Sequence, residues 1–269
     1  MDYTPMLDTA IRAAREAGAL ARASAGKPLY QQWKGARDLV VGSVLPIQEK
    51  IIEIIKTDFP THAILAEESE AMPPAETDPL WVVDPIDGTL NFGQGIPHAA
   101  ISIAYREEGV YRVGVVYDPF QDEMFSAIQG RFARLNDEPI VVQQVMEGAE
   151  AYNQAIVGAD LPGGFAERTQ CLSIATLLAA DCIALNIMGS PALGLCYVAA
   201  GRLHGYFALA LQIWDIAAAS VILGESGGIL TDIRGGSWLH TTGGYIASNN
   251  VIHGWLYRGA ITVLERSKR

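Results

Sequence analysis

The spacing of hydrophobic positions changes several times along the chain. Leu7, Ile11, Ala14 and Gly18 recur at helical spacing and predict a helix over residues 4–25. In "WKGARDLVVGSVLPIQEKIIEIIKTDFP", Ile47, Ile51, Ile54 and Ile55 line one face of a second helix, with Ser43 placed as its cap and Pro46 in its first turn. "AILAEES" and "LWVVDP" are short apolar runs that end in acids, the pattern of buried strands whose ends reach a site. "HAAISIAYREEGVYRVGVVYDPFQDEMFSAIQG" alternates in polarity and is punctuated by Glu-Gly and Asp-Pro, which predicts an antiparallel meander.

From about residue 150 strand and helix take turns. "AIVGAD" reads as a strand and "FAERTQCLSIATLLAA" as a helix. "SPALGLCYVAAG" is a helix with Pro191 near its start and Gly201 past its end. "LHGYFALAL" follows as a strand, and "WDIAAASVILGESGG" as a last amphipathic helix closed by Gly-Gly. No linker, repeat or low-complexity tract separates the halves, about 1–148 and 149–269. The expectation is one α+β domain over 1–269 with a cleft between them.

Composition narrows the function. Half of the 269 residues are hydrophobic and 18% are charged, which excludes global disorder. The net charge of −11 leaves no basic stripe, so a nucleic-acid partner is not expected. Cys171, Cys182 and Cys196 lack C-x-x-C spacing and read as small buried residues in a reducing compartment. The five histidines show no ligand spacing, so zinc is not expected. The N-terminus carries Asp2 and Asp8 and has no signal-peptide core; the uncharged run Cys182–Gly201 is broken by Asn186, Gly189, Ser190, Pro191 and Gly194. These features predict a cytoplasmic protein with no membrane partner.

Five acids stand where apolar runs end or begin: Glu67 and Glu68 after "AILA", Asp84 and Asp87 after and beyond "WVV", and Asp215 at the start of the last helix. Singly each is ordinary. Asp215 suits a helix start, Asp84-Pro85 a turn, and Glu67-Glu68 an exposed loop. Together, carboxylates at buried strand ends would repel one another, each at a cost of several kcal/mol, roughly, in an apolar site. Divalent cations are the simplest partners that let them share a small volume, and an all-oxygen set favours Mg²⁺ or Mn²⁺. Gly88-Thr89 adds N–H groups at a helix start, which suit an anion such as phosphate. Metals plus an anion cradle point to metal-assisted phosphoryl hydrolysis.

"DPIDGTLNF" resembles the first signature of the inositol monophosphatase superfamily, and "WDIAAASVILGESGG" resembles its second. "AEES", "GVVYDPFQDEMFSAIQG" and "MGSPALGLCYVAAGRLHGYF" follow its other segments, so the resemblance spans nearly the whole chain. It implies a layered α/β/α/β/α sandwich, a homodimer, and lithium-sensitive hydrolysis of a small phosphate ester by in-line attack of a metal-activated water. It also implies two or three Mg²⁺ ions, with Glu67, Asp84 and the Ile86 carbonyl on the first and Asp84, Asp87 and Asp215 on the second. Glu68 would lie behind the ligands. Gly88 and Thr89 would bind phosphate through their N–H groups, and the Thr89 hydroxyl would orient the water. Asp87, Gly189, Ser190 and Asp215 would face the substrate.

The chain departs from this pattern at specific places. The family's D-L-V-T-x-x-D is "DLVVGSV" here, so Val41 replaces Thr and Val44 replaces the second Asp, which in the family helps to activate the water. Valine has no acceptor. Lys34, Gly35 and Asp38 remain. Pro191 has no N–H to offer a substrate hydroxyl. Ala208 stands in place of the family's polyol-binding Glu, His204 in place of an Asp, and Ala219 in place of a helix glycine. Two readings follow. One is a Mg²⁺-dependent phosphomonoesterase acting on a sugar, polyol or related small phosphate ester, with myo-inositol phosphate not its best substrate; within this class a bisphosphate such as fructose 1,6-bisphosphate, or a nucleotide 3′-phosphate, stays open as the ester. The other is a catalytically weakened homologue that binds a phosphometabolite or a protein partner.

Overall fold

The computed structural model describes residues 1–27, 31–35, 38–69, 73–74, 77–143, 151–240 and 243–266; for 31–35, 38–41 and 240 only the backbone is described. The expectations for the side chains of Lys34, Asp38 and Val41 therefore lie outside the described residues. The chain opens with α1 (Thr4–Ser24), a hairpin of β1 (Gln31–Gly35) and β2 (Asp38–Val41), and α2 (Val44–Asp58). Next come β3 (Ala63–Ala66), β4 (Leu80–Asp87), the short α3 (Thr89–Gln94), β5 (Ala100–Glu107), β6 (Val110–Asp118), β7 (Glu123–Ile128), β8 (Arg134–Leu135) and β9 (Glu138–Pro139). These seven strands form one sheet in chain order, parallel only at β3–β4.

The second half holds β10 (Ile156–Ala159), α4 (Phe165–Ala179), β11 (Ala184–Ile187), α5 (Pro191–Ala199), β12 (Gly205–Leu211), α6 (Ile213–Glu225), β13 (Ile229–Asp232), β14 (Gly243–Ser248) and α7 (His253–Arg266). Its sheet runs β11-β10-β12-β14-β13, with parallel pairing among β10, β11 and β12. Three apolar clusters arrange these parts in five layers. One joins α1 and α2 to the seven-stranded sheet, one holds α5 and α6 between the two sheets, and one seats α4 and α7 on the far face of the five-stranded sheet. The molecule is a layered α/β/α/β/α sandwich, α+β in class.

Strand β4 explains how the inner layers reach a site. All eight of its residues are buried. Leu80 and Val82 pack on the α5–α6 side, and Trp81 and Val83 on the α1–α2 side, the alternation a strand between two helical layers requires. Continued strictly, it would send Asp84 and Asp87 to opposite faces. The register breaks instead: Asp84 pairs with Ser102, whereas Asp87 pairs with Ala100, so one extra residue enters β4 as a bulge around Pro85. Ala100 and Ser102 point the same way along β5, so both carboxylates turn toward the α6 side.

Helix α6 differs from its expectation. It is not the last helix, since α7 follows, and it is not amphipathic. Ile216, Ala217, Ala218, Ala219, Ile222 and Leu223 are all fully buried, because α6 lies between two sheets. Gly114 of β6 lies under the Ala218 carbonyl with no room for a Cβ, which fixes how near α6 sits to the sheet. Two smaller expectations also change. Ser43 does precede α2, but its buried hydroxyl makes no cap and finds no hydrogen-bond partner among the described residues. Cys182 is only half-buried, unlike Cys171 and Cys196.

Candidate metal centre

The bulge in β4 and the first turn of α6 bring three carboxylates together. Ligand oxygens of Asp84, Asp87 and Asp215 all lie within 4.8 Å of one another. Each is held by the local fold. Asp84 Oδ1 accepts the Ile86 N–H at 3.0 Å across the bulge, a turn that acids two residues apart favour. Asp215 Oδ2 accepts the Gln212 N–H at 2.7 Å in a capping box at the start of α6. The Ser102 hydroxyl donates to the Trp214 carbonyl at 3.2 Å and ties β5 to that same turn.

Asp87 faces the start of α5. Its Oδ2 accepts the Ala192 N–H at 2.8 Å and the Ser190 hydroxyl, while Ser190 also caps the helix through the Leu193 N–H. The positive end of α5 is therefore occupied by a carboxylate of the chain itself.

Burial and crowding push these acids toward their neutral forms. Burial raises Asp84 well above the usual carboxylate range, helped by the charges of Glu67, Asp87 and Asp215. Burial also raises Asp87, helped by Asp215 and opposed by the Ser190 and Ala192 donors. Asp215 is raised to about 7, by burial first and then by Glu67 and Asp160, against the Gln212 hydrogen bond. Among the described residues, the ion pairs all lie elsewhere on the molecule. A cluster of hard oxygen donors, buried and mutually repelling, fits a divalent cation of the Mg²⁺ or Mn²⁺ type.

One further acid, not among the candidates from sequence, completes the surroundings. Asp160, just past β10, is buried and accepts the Met188 N–H at 3.1 Å, the Gly189 N–H, and the Tyr206 hydroxyl at 2.5 Å. Burial lifts it to about 6 despite these three donors. "AIVGAD" ends an apolar run in an acid, the same signal that drew attention to Asp84, so it was open to detection.

A profile of the inositol monophosphatase family matches residues 2–266. The chain belongs to the inositol monophosphatase family. Among its relatives are the Nus factor SuhB of Pasteurella multocida, 40% identical over 251 residues and 91% of each chain, and the Nus factor SuhB of Escherichia coli K12, 38% identical over 252 residues and 91% of each. Of solved structures, the Thermotoga maritima IMPase TM1415 superposes with a TM-score of 0.89 at 31% identity, covering 97% of this chain and 99% of that one. The extragenic suppressor protein suhB of Bartonella henselae gives the same TM-score and identity, covering 95% and 98%.

The inositol monophosphatase pattern can now be followed residue by residue. Glu67 and Glu68 form the turn after β3. The Glu67 N–H bonds to the Val83 carbonyl at 3.1 Å, and the Glu67 side chain raises the pKa of both Asp84 and Asp215. The Glu68 N–H is held by Gln48 Oε1 at 3.0 Å. The Ile86 carbonyl accepts the Thr89 hydroxyl at 3.0 Å. Gly88 sits at φ 94° with Gly189 O only 2.8 Å from where a Cβ would be, so the Gly-Thr turn and the Gly189 turn touch. The Gly189 N–H and the Ser190 hydroxyl are engaged by Asp160 and Asp87.

The departures have structural counterparts. Val44 opens α2, is 1% exposed and belongs to the apolar cluster of Ile47, Ile51, Ile86 and Phe92. Ala208 is fully buried within β12. Pro191 takes the first position of α5, where a missing N–H costs nothing. Nδ1 of His204 accepts the Ile156 N–H at 2.9 Å, a structural role between strands.

Proposed function

We propose that this inositol monophosphatase family member is a phosphomonoesterase that requires Mg²⁺ or Mn²⁺ and acts on a small sugar, polyol or related phosphate ester. The observation that carries the reading is the turning of Asp84 and Asp87 to one face by the β4 bulge, opposite Asp215. Asp84, Asp87 and Asp215, with Glu67 and the Ile86 carbonyl beside them, would hold two or three ions. Bound there, the cation would supply Lewis acidity that lowers the pKa of the attacking water and offsets charge on the leaving alkoxide.

The protein's own groups do the rest. Gly88 and Thr89 N–H groups, at the first turn of α3, would hold phosphate oxygens. The Thr89 hydroxyl gives its proton to the Ile86 carbonyl, so its lone pairs are left to accept from the attacking water and orient it. Glu68 stands behind the ligands on its Gln48 anchor. In-line attack of water on phosphorus then yields inorganic phosphate and the free alcohol. With Ala208 and Pro191 offering no polar contact, myo-inositol phosphate is not the preferred ester. A screen of phosphate release over sugar, polyol and nucleotide phosphates, with Mg²⁺ and then with added Li⁺, tests the reading. Li⁺-sensitive release from at least one ester supports it, and no release from any sinks it.

A second reading is favoured by two observations: Val44 stands where the family has an acid, and relatives bear the name Nus factor SuhB. On that reading the chain binds a phosphometabolite or a protein and turns over little. Metal and ester binding without release would favour it. We further infer one domain, a homodimer and a cytoplasmic setting. The α5–α6 layer is shared by both sheets. The edge strand β11 and its neighbour α4 expose Ile187, Phe165 and Leu172, an apolar margin suited to a second copy. All three cysteines are free, and among the described residues no helix is long and apolar enough to cross a membrane.

A further inference from the structure

We propose that Asp160 is a positioning residue for the metal centre, acting through the turn at residues 188–190. The inference rests on the metal-dependent reading above. Asp160 Oδ1 takes both the Met188 and the Gly189 N–H, and Oδ2 takes the Tyr206 hydroxyl. Both oxygens are thus engaged within the chain and the side chain is buried. What it does is hold the Met188–Gly189 backbone from the second half of the chain.

The first half holds the same backbone from the other side. Asn91 Nδ2, in α3, donates to the Met188 carbonyl at 3.2 Å and to the His98 carbonyl at 2.9 Å. The Gly189 carbonyl closes against Gly88, where no Cβ fits. Gly189 itself lies at φ 82°, and a Cβ there would fall 2.6 Å from Asn91 Nδ2. The next residue, Ser190, gives its hydroxyl to Asp87, and Ala192 adds its N–H. A path of contacts therefore runs from Tyr206 through Asp160 and Gly189 to Ser190 and the Asp87 carboxylate. Two N–H donors converging on one oxygen demand an acceptor at position 160; without one, two buried amides are orphaned and the turn relaxes. Ser190 then moves off Asp87, and the ligand loses the partners that aim it.

The test uses the full-length chain and Mn²⁺ alone as probe, titrated at pH 8 by the electron paramagnetic resonance of the free ion, beside thermal unfolding. Outer partners of metal ligands are worth about 10–100-fold in affinity, and Asp160 acts one contact further out, so Asp160→Ala should weaken Mn²⁺ binding by about 3- to 10-fold. Asp160→Asn should stay within about twofold of the unsubstituted chain, because its Oδ1 can accept both N–H groups while its Nδ2 donates to the Tyr206 oxygen. A residue that merely stabilised the fold would change the unfolding temperature of Asp160→Ala and leave Mn²⁺ affinity alone. Should Asp160→Ala not fold, Asp160→Ser, with a shorter reach to the two amides, should show the same weakening. Unchanged affinity in a folded Ala or Ser variant overturns the inference, as does equal weakening in Asn and Ala. Failure of the unsubstituted chain to bind Mn²⁺ overturns the metal reading itself, a distinct result.

Discussion

Crowded carboxylates make the stability of the metal-free protein depend on pH in an unusual direction. Asp215, raised to about 7, binds its proton more tightly in the folded than in the unfolded chain. Its favourable contribution is complete below the unfolded carboxylate value of ~3.9 and is lost as pH rises through about 7. At ~1.36 kcal/mol per pH unit, a loss on the order of 3 kcal/mol falls between about pH 5 and 8. For a chain of this size it corresponds to a fall of about 5 °C in Tm, and Asp84 and Asp87 act in the same direction. Mg²⁺ at about 100 times its Kd at pH 8 returns roughly 2.7 kcal/mol. At about pH 5 the cation must displace a proton from Asp215, so binding weakens and the same Mg²⁺ returns only a small part of that increment. Thermal unfolding from about pH 5 to 8, in EDTA and in Mg²⁺, should therefore show a Mg²⁺ increment that grows with pH, and Asp215→Asn should flatten it. An increment equal at both ends, or a metal-free Tm that rises with pH, would show that these carboxylates are not held protonated by burial and crowding.

Three further substitutions probe the supports. Val44→Asp places a carboxylate in the cluster around Ile47 and Ile86; it should lower Tm in EDTA, recover in Mg²⁺, and raise phosphate release at least tenfold, against the ~10²–10⁴ a general base supplies. Unchanged release would show that position 44 does not limit the rate. Ser190→Ala removes one donor from Asp87 and should weaken Mn²⁺ binding roughly tenfold by the same titration. Gly114→Ala drives a methyl group into the Ala218 carbonyl; urea unfolding should show a loss of about 1–3 kcal/mol as α6 and Asp215 are pushed away from β4.

The parts of the fold most legible in the sequence are those where periodicity and burial agree. The Ile47–Ile51–Ile54–Ile55 stripe and the alternation of the meander became α2 and β5–β7 because each presents one face to one layer. Helix α6 departs from the amphipathic expectation because a helix between two sheets is apolar all round, and its Ala-rich run carries no amphipathic phase. Helix α7, absent from the expected elements, does carry a legible signal: Leu256, Ala260 and Leu264 are buried at a spacing of four. The acids of the candidate site were recognisable as residues, but their geometry was not. A spacing of three along a strand separates side chains onto opposite faces, and only the register break at Pro85, a property of β4 and β5 together, turns Asp84 and Asp87 the same way. The engagement of Gly189 by Asp160 is likewise a contact between elements 29 residues apart that no local pattern records.

The proposed phosphatase activity stands on Asp84, Asp87 and Asp215 as a metal centre. Phosphate release from the best ester of the screen, measured for the unsubstituted chain and for Asp84→Asn and Asp215→Asn with Mg²⁺ or with EDTA, tests it most directly. Release should require Mg²⁺ and be abolished in both variants while their folds persist. Release that survives either substitution, or that proceeds in EDTA, would contradict it.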